Sequence, residues 1–185
     1  MVETAQSREV EKRMMEPVVQ DYLDASLKLE ADDFCSQVGP VLVSLAPALG
    51  PTFQTASTEM FQGKTSRRRN QLDHRLPVME LGRNSRHGFD ELRLGRSEDN
   101  HLVVSDETVS ARHARLFQVR TSGAIFIEDL DSTNGSTLNG KPLLPGRAVE
   151  LADGDLLGFG DTFFLFYTPR GFHRALRRLA GQAAP

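Results

Sequence analysis

Three short clusters decide how this chain is read: Leu94-Gly95-Arg96, Val109-Ser110-Ala111-Arg112-His113-Ala114 and Asp131-Ser132-Thr133-Asn134-Gly135. The runs between them alternate apolar and polar residues, so each cluster falls between strands rather than inside one. They read as loops gathered at one end of a β-structure. An arginine, a serine and a threonine-asparagine pair on neighbouring loops set one cation among short hydrogen-bonding side chains, which is the chemistry of a pocket for an oxyanion.

Outward from these loops, the residues from Pro77 onward break into short strands at Val78 to Leu81, Glu91 to Leu94, His101 to Val104, Arg115 to Arg120, Ile125 to Leu130, Val149 to Leu151 and Thr162 to Thr168. Turn signals separate them at Ser97 to Asn100, Thr121 to Gly123, Asp131 to Gly135, Asn139 to Pro142, Pro145-Gly146 and Asp153 to Asp155. That spacing predicts an antiparallel sandwich. Such a fold does not by itself separate binding from catalysis, because function lives in the loops.

Further along stand Leu138-Asn139-Gly140, then Leu151 with Gly154-Asp155, then Gly158 with Gly160. Taken in order with Leu-Gly-Arg, Ser-x-x-His-Ala and Ser-Thr-Asn-Gly, these motifs resemble the signature of the forkhead-associated (FHA) domain, over about Pro77 to Thr168. The resemblance implies a mainly β protein: an antiparallel β-sandwich of the FHA type, here with an N-terminal helical region and a short C-terminal helix. It also implies a pocket for phosphothreonine. On that reading Arg96 brings a planar guanidinium to the phosphate, Ser110 donates its hydroxyl to a phosphate oxygen, Thr133 donates as well, and Asn134 holds the backbone of the ligand. Without the family, Ser110 reads as a turn serine. Gly95 and Gly135 support the tight loop geometry. His113, three residues after a serine, suggests a nucleophile and base, but the family's matching histidine is structural and steadies the loops. Asn139 is similarly expected to brace a loop. Ala111 departs from the pattern, because many members carry a polar or basic residue beside the serine. Arg112 compensates if its side chain turns to the pocket.

The bulk numbers bound the rest. With 185 residues and 39% hydrophobic residues the chain has enough for one domain with appendages. A net charge of −3 does not call for nucleic acid or a membrane. Cys35 is the only cysteine, so no intrachain disulfide is available, and a small apolar filler is its expected role. The first fifteen residues are charged and lack the apolar core of a secretory signal. The most apolar run, Val38 to Leu49, is interrupted by Pro40 and Pro47 and falls well short of the ~20 residues that span a bilayer. A cytoplasmic protein is expected.

Four regions follow: residues 1–62, helical then linker-like; 63–76, a basic linker; 77–168, the sandwich; 169–185, a basic amphipathic helix. From Ser7 to Phe34, residues Met15, Val18, Val19, Tyr22 and Leu29 make one helical stripe, with Pro17 between two pieces or opening the second. The stripe either packs on its own domain or serves partner binding or self-association through the N-terminal helix. Gly39 to Thr58 has a loop composition, with a short helix around Ser57 to Gln62. Lys64, Arg67, Arg68, Arg69 and Arg75 read as a solvated boundary, with no interleaved aromatics to suggest nucleic acid. In the last segment Phe172, Leu176 and Leu179 recur at helical spacing among Arg170, His173, Arg174, Arg177 and Arg178. That helix packs on the sandwich, or docks on the acidic N-terminal helix or on an acidic partner.

Metal-ligand clusters, a lysine-bearing phosphate loop and a nucleophile beside a base are all missing from the sequence, so neither an enzyme nor a cofactor or metal is expected. Gly158-Phe159-Gly160 lacks the third glycine of a dinucleotide fingerprint. Asn134-Gly135-Ser136 matches a glycosylation sequon that a cytoplasmic chain would not use. The expected function is a phosphothreonine-dependent adaptor whose partners are a serine/threonine kinase or its substrates. Two alternatives stay open: an FHA scaffold that needs no phosphate, as in a secretion assembly, and a nucleic-acid-binding regulator using the basic segments.

Overall fold

The computed structural model describes residues 17–45, 72–82 and 89–182. The expected helix at Ser57 to Gln62, the basic run from Lys64 to Arg69 and Met15 lie outside these residues.

The run Thr162-Phe-Phe-Leu-Phe-Tyr167 is buried at every position. A strand without alternation needs apolar partners on both faces, and this one has them. It is β11, and its neighbours in a six-stranded sheet run β2-β1-β11-β10-β7-β8, where β1 is Val41–Ser44, β2 Val78–Glu80, β7 Ser136–Leu138, β8 Lys141–Pro142 and β10 Leu156–Phe159. A second sheet runs β4-β3-β5-β6-β9, from β3 (Glu91–Gly95), β4 (Leu102–Val103), β5 (Ala114–Gln118), β6 (Ile125–Asp129) and β9 (Val149–Glu150). Phe164, Phe166, Leu157, Phe159 and Leu42 face this second sheet and meet Leu94, Leu116 and Ile127 there. Phe163, Leu165, Tyr167, Val41 and Val43 point the other way, into a separate core closed by helices.

Those helices are α1 (Val19–Lys28), α2 (Ala31–Gln37) and α3 (Pro169–Gln182). Pro17 precedes α1, as expected if it opens the second helical piece; the piece expected before it lies outside the described residues, and a further break falls at Leu29-Glu30. The Val18 N–H donates to the Asp21 carboxylate at 2.8 Å, closing the open first turn of α1. Val19, Tyr22, Phe34, Phe172 and Leu176 are all buried against the sheet, so the N-terminal stripe packs on its own domain. The C-terminal helix starts with proline at its first position and Thr168 as its cap, whose hydroxyl accepts the Gly171 N–H at 3.1 Å. It makes both expected contacts at once. Phe172 lies against Tyr167 of the sheet, while His173 and Arg177 bond the Ser26 carbonyl of α1 and Arg170 pairs with Asp32 of α2. Cys35 on α2 is half-buried, and burial pushes its thiol pKa up against the pull of Arg170.

Two expectations need correction. The residues after Gly39 were expected to be linker, yet Val41–Ser44 is a central strand, antiparallel to both β2 and β11. Its Val-Leu-Val run lacks a period of two because each face meets a core, and flanking prolines disguise it. The sandwich thus draws a strand from before Pro77. The sandwich is also not wholly antiparallel: β3 and β4 pair in parallel, Leu94 with Leu102 and Gly95 with Val103. Strands β7, β8 and β10 were not foreseen. The Asn139-Gly140 turn of the β7–β8 hairpin has positive φ at both residues (52° and 78°), the geometry that Asn-Gly favours. No helix among the described residues is long and apolar enough to cross a membrane.

Candidate functional site

The three sequence clusters meet at one end of the sandwich. Gly95 ends β3 where its Cα is pressed against the Ala111 carbonyl, with no room for a Cβ. This close approach brings the loop after β3 onto the loop before β5. There the Arg96 N–H donates to the Ser110 carbonyl at 2.9 Å and the Arg96 Nε to the Val109 carbonyl at 3.3 Å. The Asn100 amide pins the same junction, donating to Ser97 O at 2.8 Å and Ala111 O at 2.6 Å. The Arg96 side chain is exposed, and among the described residues no carboxylate pairs with it. Among the described residues its terminal guanidinium nitrogens have no hydrogen-bond partner, which leaves their donors available.

Ser110 and Thr133, 23 residues apart, come together. The Ser110 hydroxyl lies 3.3 Å from the Thr133 hydroxyl and accepts the Thr133 N–H at 3.0 Å. Asn134 is exposed and donates from Nδ2 to the Thr108 carbonyl at 2.8 Å. Gly135 follows with φ 75°, a left-handed backbone that glycine adopts without strain. Arg112 is also exposed, and no hydrogen bond or ion pair engages its side chain among the described residues. The side chain of Ala111 is exposed beside it.

His113 lies beneath these loops and is fully buried. Its Nδ1 accepts the Ser110 N–H at 3.0 Å, so the proton of the neutral ring sits on Nε2, 3.2 Å from the Gly135 carbonyl. One ring therefore joins the serine loop to the Thr-Asn-Gly loop. Burial pushes its pKa below the ordinary imidazole value, outweighing the Gly135 carbonyl and Asp129, which favour the cation. Ser110 meets His113 through its backbone amide and not its hydroxyl, which is not the geometry of an activated nucleophile. Asp129 is buried 3.9 Å from Nε2. Burial alone would raise its carboxyl, but bonds from the Ser136 and Ser132 hydroxyls and the Ser132 N–H hold it below the ordinary value.

Asn139 does brace a turn, but elsewhere. Its side chain bonds Asp155 at 2.7 Å and the Leu156 N–H at 3.0 Å, at the end of β7 away from Gly135. Asn100, Thr108 and Asp129 went unnoticed in the sequence. Asp106-x-Thr108 carried a local signal, a carboxylate two residues before an N–H that it accepts at 2.8 Å. Asn100 and Asp129 also bond neighbours three residues away, Ser97 and Ser132, but their bonds to Ala111 and Ser136 reach further along the chain than a turn pattern shows. Among the described residues, no three His, Cys, Asp or Glu side chains stand where they could hold a metal.

Comparison with known proteins agrees with this architecture. Residues 92–160 match the family model of the FHA domain. The FHA domain-containing protein At4g14490 of Arabidopsis thaliana is 37% identical over 71 residues, 38% of this chain and 18% of that protein. FhaA, an FHA domain-containing protein of Mycobacterium tuberculosis, is 37% identical over 68 residues, 36% of this chain and 12% of that protein. The match thus spans less than a fifth of either relative. A structure solved in a study of phosphothreonine-dependent FHA domain interactions aligns with 71% of this chain and 97% of its own, at 20% identity and TM-score 0.44. Within this chain, residues 92–160 are an FHA domain.

Proposed function

We propose that the loops around Ser110 form a phosphothreonine-peptide pocket and that the chain serves as an adaptor in serine/threonine kinase signalling. FHA domains are in general binding modules rather than enzymes. The observation that carries the reading is the convergence of Ser110, Thr133 and the open Arg96 guanidinium. A phosphothreonine brings about −1.5 to −2 charges at neutral pH and three acceptor oxygens. Arg96 supplies the opposing charge and Ser110 and Thr133 supply donors. Asn134 meets the peptide backbone, and Arg112 stands exposed nearby as a second cation. Gly95, His113 and Gly135 hold the loops in place. The implied partner is a phosphorylated protein, with a kinase or its substrate as the source.

A calorimetric titration tests this. A phosphothreonine peptide found by library screening should bind, and its unphosphorylated form should not. Arg96→Ala removes the charged partner of a desolvated anion, which typically costs ~2–5 kcal/mol at an interface. Arg96→Lys keeps the charge without the fork and should recover only part of the affinity. Equal binding by wild type and Arg96→Ala would transfer the function to a scaffold that needs no phosphate.

A further inference from the structure

The exposed amide of Asn134 is held by Thr108, a residue outside the proposed ligand contacts. Its Nδ2 rests on the Thr108 carbonyl at 2.8 Å. An amide anchored through nitrogen on a carbonyl cannot turn over, because its own oxygen would then oppose that carbonyl. The anchor leaves Oδ1 and one N–H of this exposed side chain without a partner among the described residues, a pair complementary to the C=O and N–H of an extended peptide.

The Thr108 carbonyl is itself fixed from three sides. Thr108 N–H and its hydroxyl both donate to Asp106 Oδ1, at 2.8 and 2.5 Å. The same hydroxyl accepts the Asp161 N–H at 2.9 Å. Gly160, with φ 55°, abuts this residue so closely that a Cβ there would lie 2.5 Å from both Thr108 O and Oγ1. Gly160 N–H also reaches the Gly135 carbonyl at 3.3 Å, next to Asn134. The β10–β11 turn is thus a wall behind two loops at once.

We propose that Thr108, backed by Gly160 and Asp161, is the positioning residue for Asn134 and fixes which edge of that amide meets the peptide. The inference rests on the proposed phosphothreonine site and would account for its reading of the peptide backbone as distinct from the phosphate. Thr108→Val keeps the shape and removes the hydroxyl that ties the residue to Asp106 and Asp161. Its test is a double-mutant cycle with one phosphothreonine peptide, using wild type, Thr108→Val, Asn134→Ala and the double variant. Thr108→Val should lose affinity on the order of fivefold, the equivalent of about one hydrogen bond. In the Asn134→Ala background it should lose nothing more, and Thr108→Ser should bind like wild type. The Asn134 side-chain amide resonances of the unliganded protein should shift in Thr108→Val. An equal loss in both backgrounds, or unshifted resonances, overturns the inference while the phosphothreonine site stands. Absence of binding by wild type ends the phosphothreonine reading and the inference with it. Should Thr108→Val not fold, Gly160→Ala displaces the same carbonyl and enters the cycle with the same expected pattern.

Discussion

The two sheets share one core but differ in what covers their backs. The sheet containing β11 is covered on both faces, by the partner sheet on one side and by α1, α2 and α3 on the other. The sheet containing β5 and β6 has no second layer on its outer face among the described residues, and its outward side chains are half-buried. There Phe117 stacks on Phe126 across the strands at 5.5 Å, and Arg115 lies over Phe117 while forking to Glu91 and Glu128 at 2.8 and 2.9 Å. Much of the doubly covered layer comes from residues outside the FHA match at 92–160, including β1, β2, α1, α2 and α3. The loops of the proposed pocket rise from both sheets. Stability is therefore expected to concentrate in the first sheet and recognition in the loops.

The largest effect should come from the doubly covered strand. Phe166 is fully buried, and Phe166→Ala should cost ~3–5 kcal/mol of unfolding free energy by denaturant titration, the range for a large buried aromatic. Phe126→Ala on the open face should cost well under half of that. Comparable losses would erase the contrast.

Next comes His113, where stability and recognition meet. Removing a ring that bonds both loops leaves the Ser110 N–H without a partner and the Gly135 carbonyl with only the Gly160 N–H, a change that typically costs ~1–3 kcal/mol. His113→Ala should lower the melting temperature and weaken phosphopeptide binding together. Full stability with lost binding would make His113 a direct ligand contact.

Acid should act on the same ring. The folded pKa of His113 lies below the ordinary 6.5, so the unfolded chain takes up a proton that the folded ring refuses. Stability is then lost as pH falls below about 6.5. Asp129, held below 3.8, adds a second loss as pH falls further, because its bonds require the carboxylate. Melting temperatures at pH 7.5 and 5.5 should differ less for His113→Gln than for wild type. An equal pH slope in the two would remove His113 from the acid response.

The smallest effect should be at the helix contact between Arg170 and Asp32. Both side chains are largely exposed, at 69% and 83%. Arg170→Ala should cost at most about 1 kcal/mol, because Phe172 and Leu176, both fully buried, hold α3 in place. A larger loss in thermal denaturation would mean that the pair, and not the apolar contact, docks the helix.

Legibility in the sequence followed the same division. Strands β3, β5, β6 and β11 were recognised within one or two residues. The first three show a face to solvent or end in polar turns, and β11 is a long aromatic run between turn signals. β1 and β10 were missed because burial on both faces erases alternation. Within β10, Gly158 lies where a Cβ would be 2.5 Å from the Thr137 hydroxyl, so that strand needs a glycine for space. Arg96, Ser110, Thr133, Asn134 and His113 were all named from the sequence, since each lies in a motif that can be read locally.

What the sequence determined by itself was the list of loop residues, the chemistry they bring and the β character of their scaffold, because hydrophobic period and turn chemistry are local properties of a chain. Only the tertiary structure decided that β1 crosses back into the sheet, that three helices close its outer face, and that the Thr108 carbonyl receives Asn134 while His113 joins Ser110 to Gly135. Each of these is a contact between residues about 20 or more apart in the chain, or a pairing through a backbone carbonyl or amide that every residue type carries. Such contacts leave no mark on residue identity, and they appear only once packing has brought the segments together.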